Sequence, residues 1–182
     1  VVLTHNRPAE LLRTLSRLRA LPERPEIVVV DNASREPVAP LIDARFPGVR
    51  CVTLPLNAGA AGRNAGVRAC ARRYVALCDD DTWWEPGSLR HAADLLDAHP
   101  SVAVLNATVM VGEENRVDPT CRVMENSPLQ RSPELPGAPL LGFMAGASIV
   151  RRDAFLAVGG FAPRLFLGGE ERLLAIDLAR RG

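Results

Sequence analysis

The sequence predicts a doubly wound α/β domain, and three observations predict it. Short, continuously apolar runs alternate with helical stretches through the first 80 residues. Each run stops abruptly in a polar loop. Those loops hold the residues suited to chemistry: Thr4 to Arg7, Asp31 to Ser34, Asn57 to Gly66 and Asp79 to Asp81. Strands apolar on both faces belong to a buried parallel sheet. Loops leaving the carboxyl ends of such strands converge on one edge, where ligands of open α/β sheets sit.

The elements follow in order. Residues 1–3 end a first strand. Pro8 suits the first turn of a helix, where its missing N–H costs nothing. Leu11, Leu12, Leu15, Leu18 and Leu21 then form one apolar stripe, with Arg13, Arg17 and Arg19 away from it. Residues 26–30 are a second strand, and a short helix is expected over 40–45. Residues 49–54 are a third strand, followed by a Gly-rich turn and a helix over 67–73. The fourth strand is 74–78. Pro86 opens a helix that Pro100 closes, and 101–111 reads as a strand. Residues 112–139 hold five prolines and read as a long binding loop. A strand over 143–150, a short helix over 153–158, the Gly159-Gly160-Phe161 turn and a last helix from Glu170 to Arg181 complete the chain.

The bulk properties exclude some classes. With 182 residues the chain can form one domain with a real core. A net charge of +1 gives no electrostatic affinity for nucleic acid. No apolar run approaches the roughly 18 residues that span a bilayer. Cys51, Cys70, Cys78 and Cys121 show no CxxC spacing and read as reduced thiols, some in the core, as in a cytoplasmic protein. The chain starts within a strand, without an initiator Met, and stops at Arg180-Arg181-Gly182. It therefore reads as a single domain, 1–182, cut at both ends.

Three adjacent carboxylates, Asp79, Asp80 and Asp81, are the outstanding feature. Such a run either sits solvated on a loop or binds a divalent cation such as Mg²⁺ or Mn²⁺. Its place at the end of a buried strand favours the cation, with diphosphate oxygens completing the shell. Asp31 can accept hydrogen bonds from a nucleobase or ribose, or close an Asx-turn. Asn57 to Gly66 is either an anion loop aided by Arg63 or a tight turn with glycine for close packing; it is neither a P-loop nor GxGxxG. Glu170 and Glu171 offer a general base, or simply complement a helix dipole. Trp83 and Trp84 can stack on a sugar or base, and at least one is expected to pack. His91 and His99 receive no role.

Taken together, these pieces resemble the family 2 glycosyltransferases, of GT-A fold, over nearly the whole chain. The residues that carry the resemblance are Val2-Leu3-Thr4-His5-Asn6-Arg7, Val30-Asp31-Asn32-Ala33-Ser34, Asn57-Ala58-Gly59 with Arg63-Asn64-Ala65-Gly66, and Leu77-Cys78-Asp79-Asp80-Asp81. Gly159-Gly160-Phe161 and Gly169-Glu170-Glu171 follow in family order. The resemblance implies a doubly wound mixed, mostly parallel sheet flanked by helices, with a nucleotide-binding half (1–100) and an acceptor-side half (101–182). It implies inverting, hexosyltransferase-like transfer from a nucleotide-diphosphate sugar to a glycan, lipid-linked or small-molecule acceptor. Thr4 and Asp31 would bind the nucleoside, and Arg7 and Arg63 would lie near the nucleotide. Asp79 and Asp80 would contact ribose or metal, and Asp81 would be the principal ligand of Mn²⁺ or Mg²⁺. The family's base is an Asp in a Glu-Asp pair. Here Glu171 takes that place, and Glu170 remains a candidate. No transmembrane segment is expected, and the location implied is cytoplasmic or peripheral to a membrane.

Other functions stay open. A sugar nucleotidyltransferase would need a basic Gly-rich loop after the first strand, where Thr4-His5-Asn6-Arg7 stands. An Asp-based phosphotransferase would want Thr or Val at Trp83 and its acids on the first strand. A non-catalytic nucleotide- or glycan-binding module of the same fold is the alternative outside enzymes.

Overall fold

The computed structural model describes residues 1–181. The strands are β1 (Val2–Thr4), β2 (Val28–Asp31), β3 (Arg50–Thr53), β4 (Tyr74–Ala76), β5 (Cys78–Asp79), β6 (Val104–Asn106), β7 (Met110–Val111), β8 (Arg116–Val117) and β9 (Ser148–Arg151). The helices are α1 (Pro8–Arg19), α2 (Ala39–Arg45), α3 (Arg63–Ala69), α4 (Ser88–Ala98), α5 (Pro119–Glu125), α6 (Arg152–Ala157) and α7 (Glu170–Ala179). One sheet is parallel, in the order β3-β2-β1-β5. A second, β4-β9-β6, is antiparallel, and β7 pairs with β8 in a small hairpin. The parallel strands belong to the first half of the chain. Those of the second half run antiparallel.

Alternation along β2 shows why the parallel sheet is apolar on both sides. Val29 joins Leu11, Leu15, Leu18 and Ile42 on the α1–α2 face. Val28 joins Val67, Leu77, Phe155, Phe161 and Leu174 on the other. Leu11, Leu15 and Val67 are fully buried, and such a side chain contributes about 1.5–3 kcal/mol each by leaving water.

The expected fourth strand is two. Leu77 N donates to Ser148 O at 2.8 Å, and Cys78 N donates to Val1 O at 2.8 Å. The chain thus leaves one sheet and enters the other within a single peptide step. The expected strand over 101–111 is likewise split, into β6 and β7, and that over 143–150 is reduced to a 3-10 turn (Ala145–Ala147) and β9. The expected long loop contains α5, capped by Asp118, whose side chain accepts from Thr120 N.

Register places the site. Thr4 is level with Asp31, Asp31 with Thr53, and Leu3 with Asp79. The carboxyl ends of β1, β2 and β5 therefore bring Thr4, Asp31 and the acidic triplet to one edge, as the alternating pattern predicts.

Candidate functional site

The three aspartates do different work because the turn after β5 aims them differently. Asp80 is buried, at 4% exposure. Its Oδ2 accepts the Thr4 hydroxyl at 2.8 Å, its Oδ1 lies 3.0 Å from Arg7 Nη1, and its main-chain oxygen accepts the Thr14 hydroxyl at 2.8 Å. Burial raises its pKa above the ordinary carboxylate value; the Thr4 bond and Arg7 oppose the rise, and the charges of Asp81 and Asp79 add to it. Asp79 and Asp81 instead keep 41% and 47% of their side chains exposed. Arg7 Nη1 reaches Asp81 Oδ2 at 2.9 Å, and the buried Arg63 pairs with Asp79 Oδ1. The turn itself is fixed by Thr82, whose hydroxyl accepts from Asp79 N at 2.9 Å and lies 3.2 Å from Gly146 O.

Asp79 also leans on Gly146, where a Cβ would sit 2.7 Å from the Asp79 Cγ. Arg63, Asp79 and Gly146 thus form one group. Helix α7 begins beside Gly142, where a Cβ would lie 3.0 Å from Arg172 Cγ. Its half-buried Glu171 has a raised pKa, first by burial, with the Glu170 charge adding to the rise and the Arg63 charge opposing it. Glu170 is turned away into the core, 2% exposed, and its Oε2 has no hydrogen-bond partner.

The structure revises several expectations. Asp31 is fully buried, and its oxygens accept Ser34 N at 2.9 Å and Val38 N at 3.1 Å. The turn-closing reading describes it. Residues 58–60 do not present free amides to an anion. Ala58 N donates to Asn32 Oδ1, Gly59 N to Asn57 Oδ1 and Ala60 N to Phe166 O. Those three amides are thus taken up within the fold, and Gly59 and Gly62 allow close packing against Phe166 and Leu3. Thr4 is 2% exposed and committed to Asp80, so both support the open carboxylates from below. Trp84 packs, while Trp83 stays 45% exposed beneath the Arg17 guanidinium, 5.1 Å from its ring centre.

Among the described residues no three His, Cys, Asp or Glu side chains converge on a metal position. Two open carboxylates of hard oxygen donors nevertheless fit Mg²⁺ or Mn²⁺, provided other oxygens complete the shell. Each is paired with an arginine, so a cation and a guanidinium compete for the same oxygens.

Residues 1–159 match the family model described as glycosyl transferase family 2. The chain belongs to that family. A curated relative, the uncharacterized glycosyltransferase YwdF of Bacillus subtilis, is 38% identical over 99 residues, covering 51% of this chain and 35% of its own length. The N-acetylglucosaminyl-diphospho-decaprenol L-rhamnosyltransferase of Mycobacterium tuberculosis is 25% identical over 100% of this chain and 70% of its own length. Among solved structures, S. aureus TarS superposes with a TM-score of 0.74 at 20% identity, over 97% of this chain and 53% of that one. The mannosyltransferase PcManGT from Pyrobaculum calidifontis, in complex with GDP-Man and Mn²⁺, superposes at 0.72 and 20% identity, over 100% of this chain and 51% of that one. These likenesses give this family 2 member the GT-A fold. The chain spans about a third of the length of the first curated relatives it matches. No helix among the described residues is long and apolar enough to cross a membrane.

For this family 2 chain, motif reading missed Gly146 and Thr14. Gly146 had a signal: Ala145-Gly146-Ala147 puts three small residues inside the strand expected over 143–150. Thr14 had none, since it acts through a main-chain partner distant in sequence.

Proposed function

We propose that the chain transfers a sugar from a nucleotide-diphosphate donor to an acceptor hydroxyl, with inversion. The observation that carries this reading is the pair of open carboxylates, Asp79 against Arg63 and Asp81 against Arg7, at the carboxyl edge of a family 2 chain, with half-buried Glu171 at the start of α7. The acceptor oxygen attacks the anomeric carbon, the bond from that carbon to the diphosphate breaks, and the acceptor's proton passes to a carboxylate. Glu171 is our assignment for that base, since it keeps access to solvent and Glu170 does not. Its raised proton affinity suits a group that must hold the proton it receives.

Arg7 and Arg63 stand where the diphosphate would lie, with charge-assisted donors for its oxygens. Asp81, with Asp79, would hold Mn²⁺ or Mg²⁺. That cation would supply Lewis-acid neutralisation of the departing diphosphate. Thr4, Asp31 and Asp80 form the floor of the nucleoside site and fix Arg7 and the main chain around it. Neighbouring structures contain UDP, UDP-GlcNAc or GDP-Man, so both uridine and guanosine donors belong in the first screen.

The test is a thermal-shift panel of UDP, TDP and GDP, with Mn²⁺ or with EDTA. A nucleotide at a hundredfold excess over its Kd stabilises by about 2.7 kcal/mol. One nucleotide should raise Tm only with Mn²⁺ present, and its sugar donor should be turned over in the same buffer. Silence from all three sinks the donor site. A metal-dependent shift without turnover supports a binding module instead.

A further inference from the structure

Two glycine-bearing segments, 57–66 and 159–170, are joined by contacts that the reaction as proposed does not use. The first joint is reciprocal. Asn64 Nδ2 donates to Phe161 O at 2.8 Å, and Phe161 N donates to Asn64 Oδ1 at 2.9 Å. Asn64 is 5% exposed and Phe161 fully buried. Gly160, at φ +72, makes room for it, since a Cβ there would lie 2.5 Å from Asn64 Oδ1. The second joint is Ala60 N donating to Phe166 O at 2.9 Å. It exists because residue 59 is glycine: a Cβ at that position would lie 2.7 Å from the Phe166 carbonyl carbon.

The joints bracket residues 161–166, and Glu170 follows four residues later, at the start of α7. Gly168 and Gly169, at φ +96 and +88, form the turn that leads into α7, where Gly169 O accepts from Leu173 N at 3.0 Å. The two joints therefore tie this loop to the 57–66 segment, while Phe161 also packs its ring on Phe155 and Phe143. On the other side of both lies Arg63, between Gly59 and Asn64 in sequence and paired with Asp79. We propose that Asn64 and Gly59 are positioning residues, which latch the 161–170 segment to the donor-side loop and so set where Glu171 stands relative to the Arg63–Asp79 pair. The proposal rests on the reading of Glu171 as base, and it extends that reading to residues that touch neither donor nor acceptor.

The experiment compares Asn64→Ala and Gly59→Ala with a control, Gly87→Ala. Gly87 shares the left-handed backbone, at φ +88, but faces open space, so it isolates backbone strain from the lost contact. Amide hydrogen exchange over 161–173 should accelerate about tenfold or more in both latch variants, the scale of one net hydrogen bond, and not in the control. Nucleoside-diphosphate affinity with Mn²⁺ should change less than about threefold, while kcat for transfer falls about 100-fold, the scale of a 1 Å misplacement. Should Gly59→Ala fail to fold, Asn64→Ala, which removes the other joint and introduces no clash, decides the latch. Unchanged exchange overturns the latch. Faster exchange with kcat intact, or with loss confined to nucleotide affinity, overturns the positioning role. A wild-type protein without nucleotide response or transfer sinks the proposed function, and exchange still decides the latch.

Discussion

Thr4→Val isolates the buried contact beneath the acidic triplet. Valine keeps the shape of threonine and removes only the hydroxyl, which donates to Asp80 Oδ2 at 2.8 Å. A hydrogen bond to a charged group contributes about 1.5–3 kcal/mol, and Asp80, at 4% exposure, cannot replace it with water. Arg7 still reaches the other oxygen, but its side chain is 46% exposed and a pair of that kind contributes little. The unfolding constant should therefore rise about 10- to 150-fold at about pH 8. The sign with pH follows from the titration. Burial raises the Asp80 pKa in the folded state, and the Thr4 bond is the leading influence against the rise. Without it the folded pKa climbs further above the unfolded value. Stability tied to a carboxyl of raised pKa is present at low pH and lost as pH rises through the folded pKa. The deficit of Thr4→Val should grow with pH and shrink where Asp80 is protonated. Urea unfolding of both proteins at about pH 4 and about pH 8 measures it. Equal deficits at the two pH values would refute an ionised Asp80 as the acceptor.

Three other variants probe the remaining contacts. Glu171→Gln should abolish transfer while leaving metal-dependent nucleotide binding in place. Because burial raises the Glu171 pKa, the same variant should have a higher Tm than wild type at neutral pH and lose that advantage in acid, which calorimetry across pH checks. Gly146→Ala should push the Asp79 carboxylate off Arg63, seen as at least about tenfold weaker binding of nucleotide with Mn²⁺, about 1.4 kcal/mol; unchanged affinity would remove Asp79 from the donor site. Arg151→Ala should cost about 1.5–3 kcal/mol in urea unfolding, since this buried guanidinium donates to Leu96 O at 2.8 Å and Val102 O at 3.2 Å and ties the carboxyl end of α4 to the antiparallel sheet.

The first half of the fold was legible because its strands are buried on both faces. Ile27 to Val30 can be little else than a central parallel strand, and Asp31 must then emerge at its carboxyl end. The second half was not, because its strands are two to four residues long and are defined by partners far away. Val104 is a strand residue because it lies beside Val150, and no local pattern states that. Helix α5 was readable and was overlooked: Asp118-Pro119 pairs an N-cap with a proline at the first helical position, but the count of prolines spoke louder. At the site, the motifs gave the residues and their shared edge. Which of three adjacent aspartates is buried depends on how Thr82 closes the turn, a geometry that three identical letters do not encode. Glu170 and Glu171 were separable only once α7 was seen to press the first against the core and leave the second at its margin.

The partner exchange at Leu77 has a consequence for how such a chain can diversify. Within the strand from Tyr74 to Asp79, the residues that pair with β9 and those that pair with β1 share no ladder. The stretch between β6 and β9 touches the acidic turn at Gly146, which packs on Asp79 and whose carbonyl oxygen accepts the Thr82 hydroxyl at 3.2 Å. The rest of that stretch can vary around a fixed acidic turn, so long as Gly146 keeps no side chain.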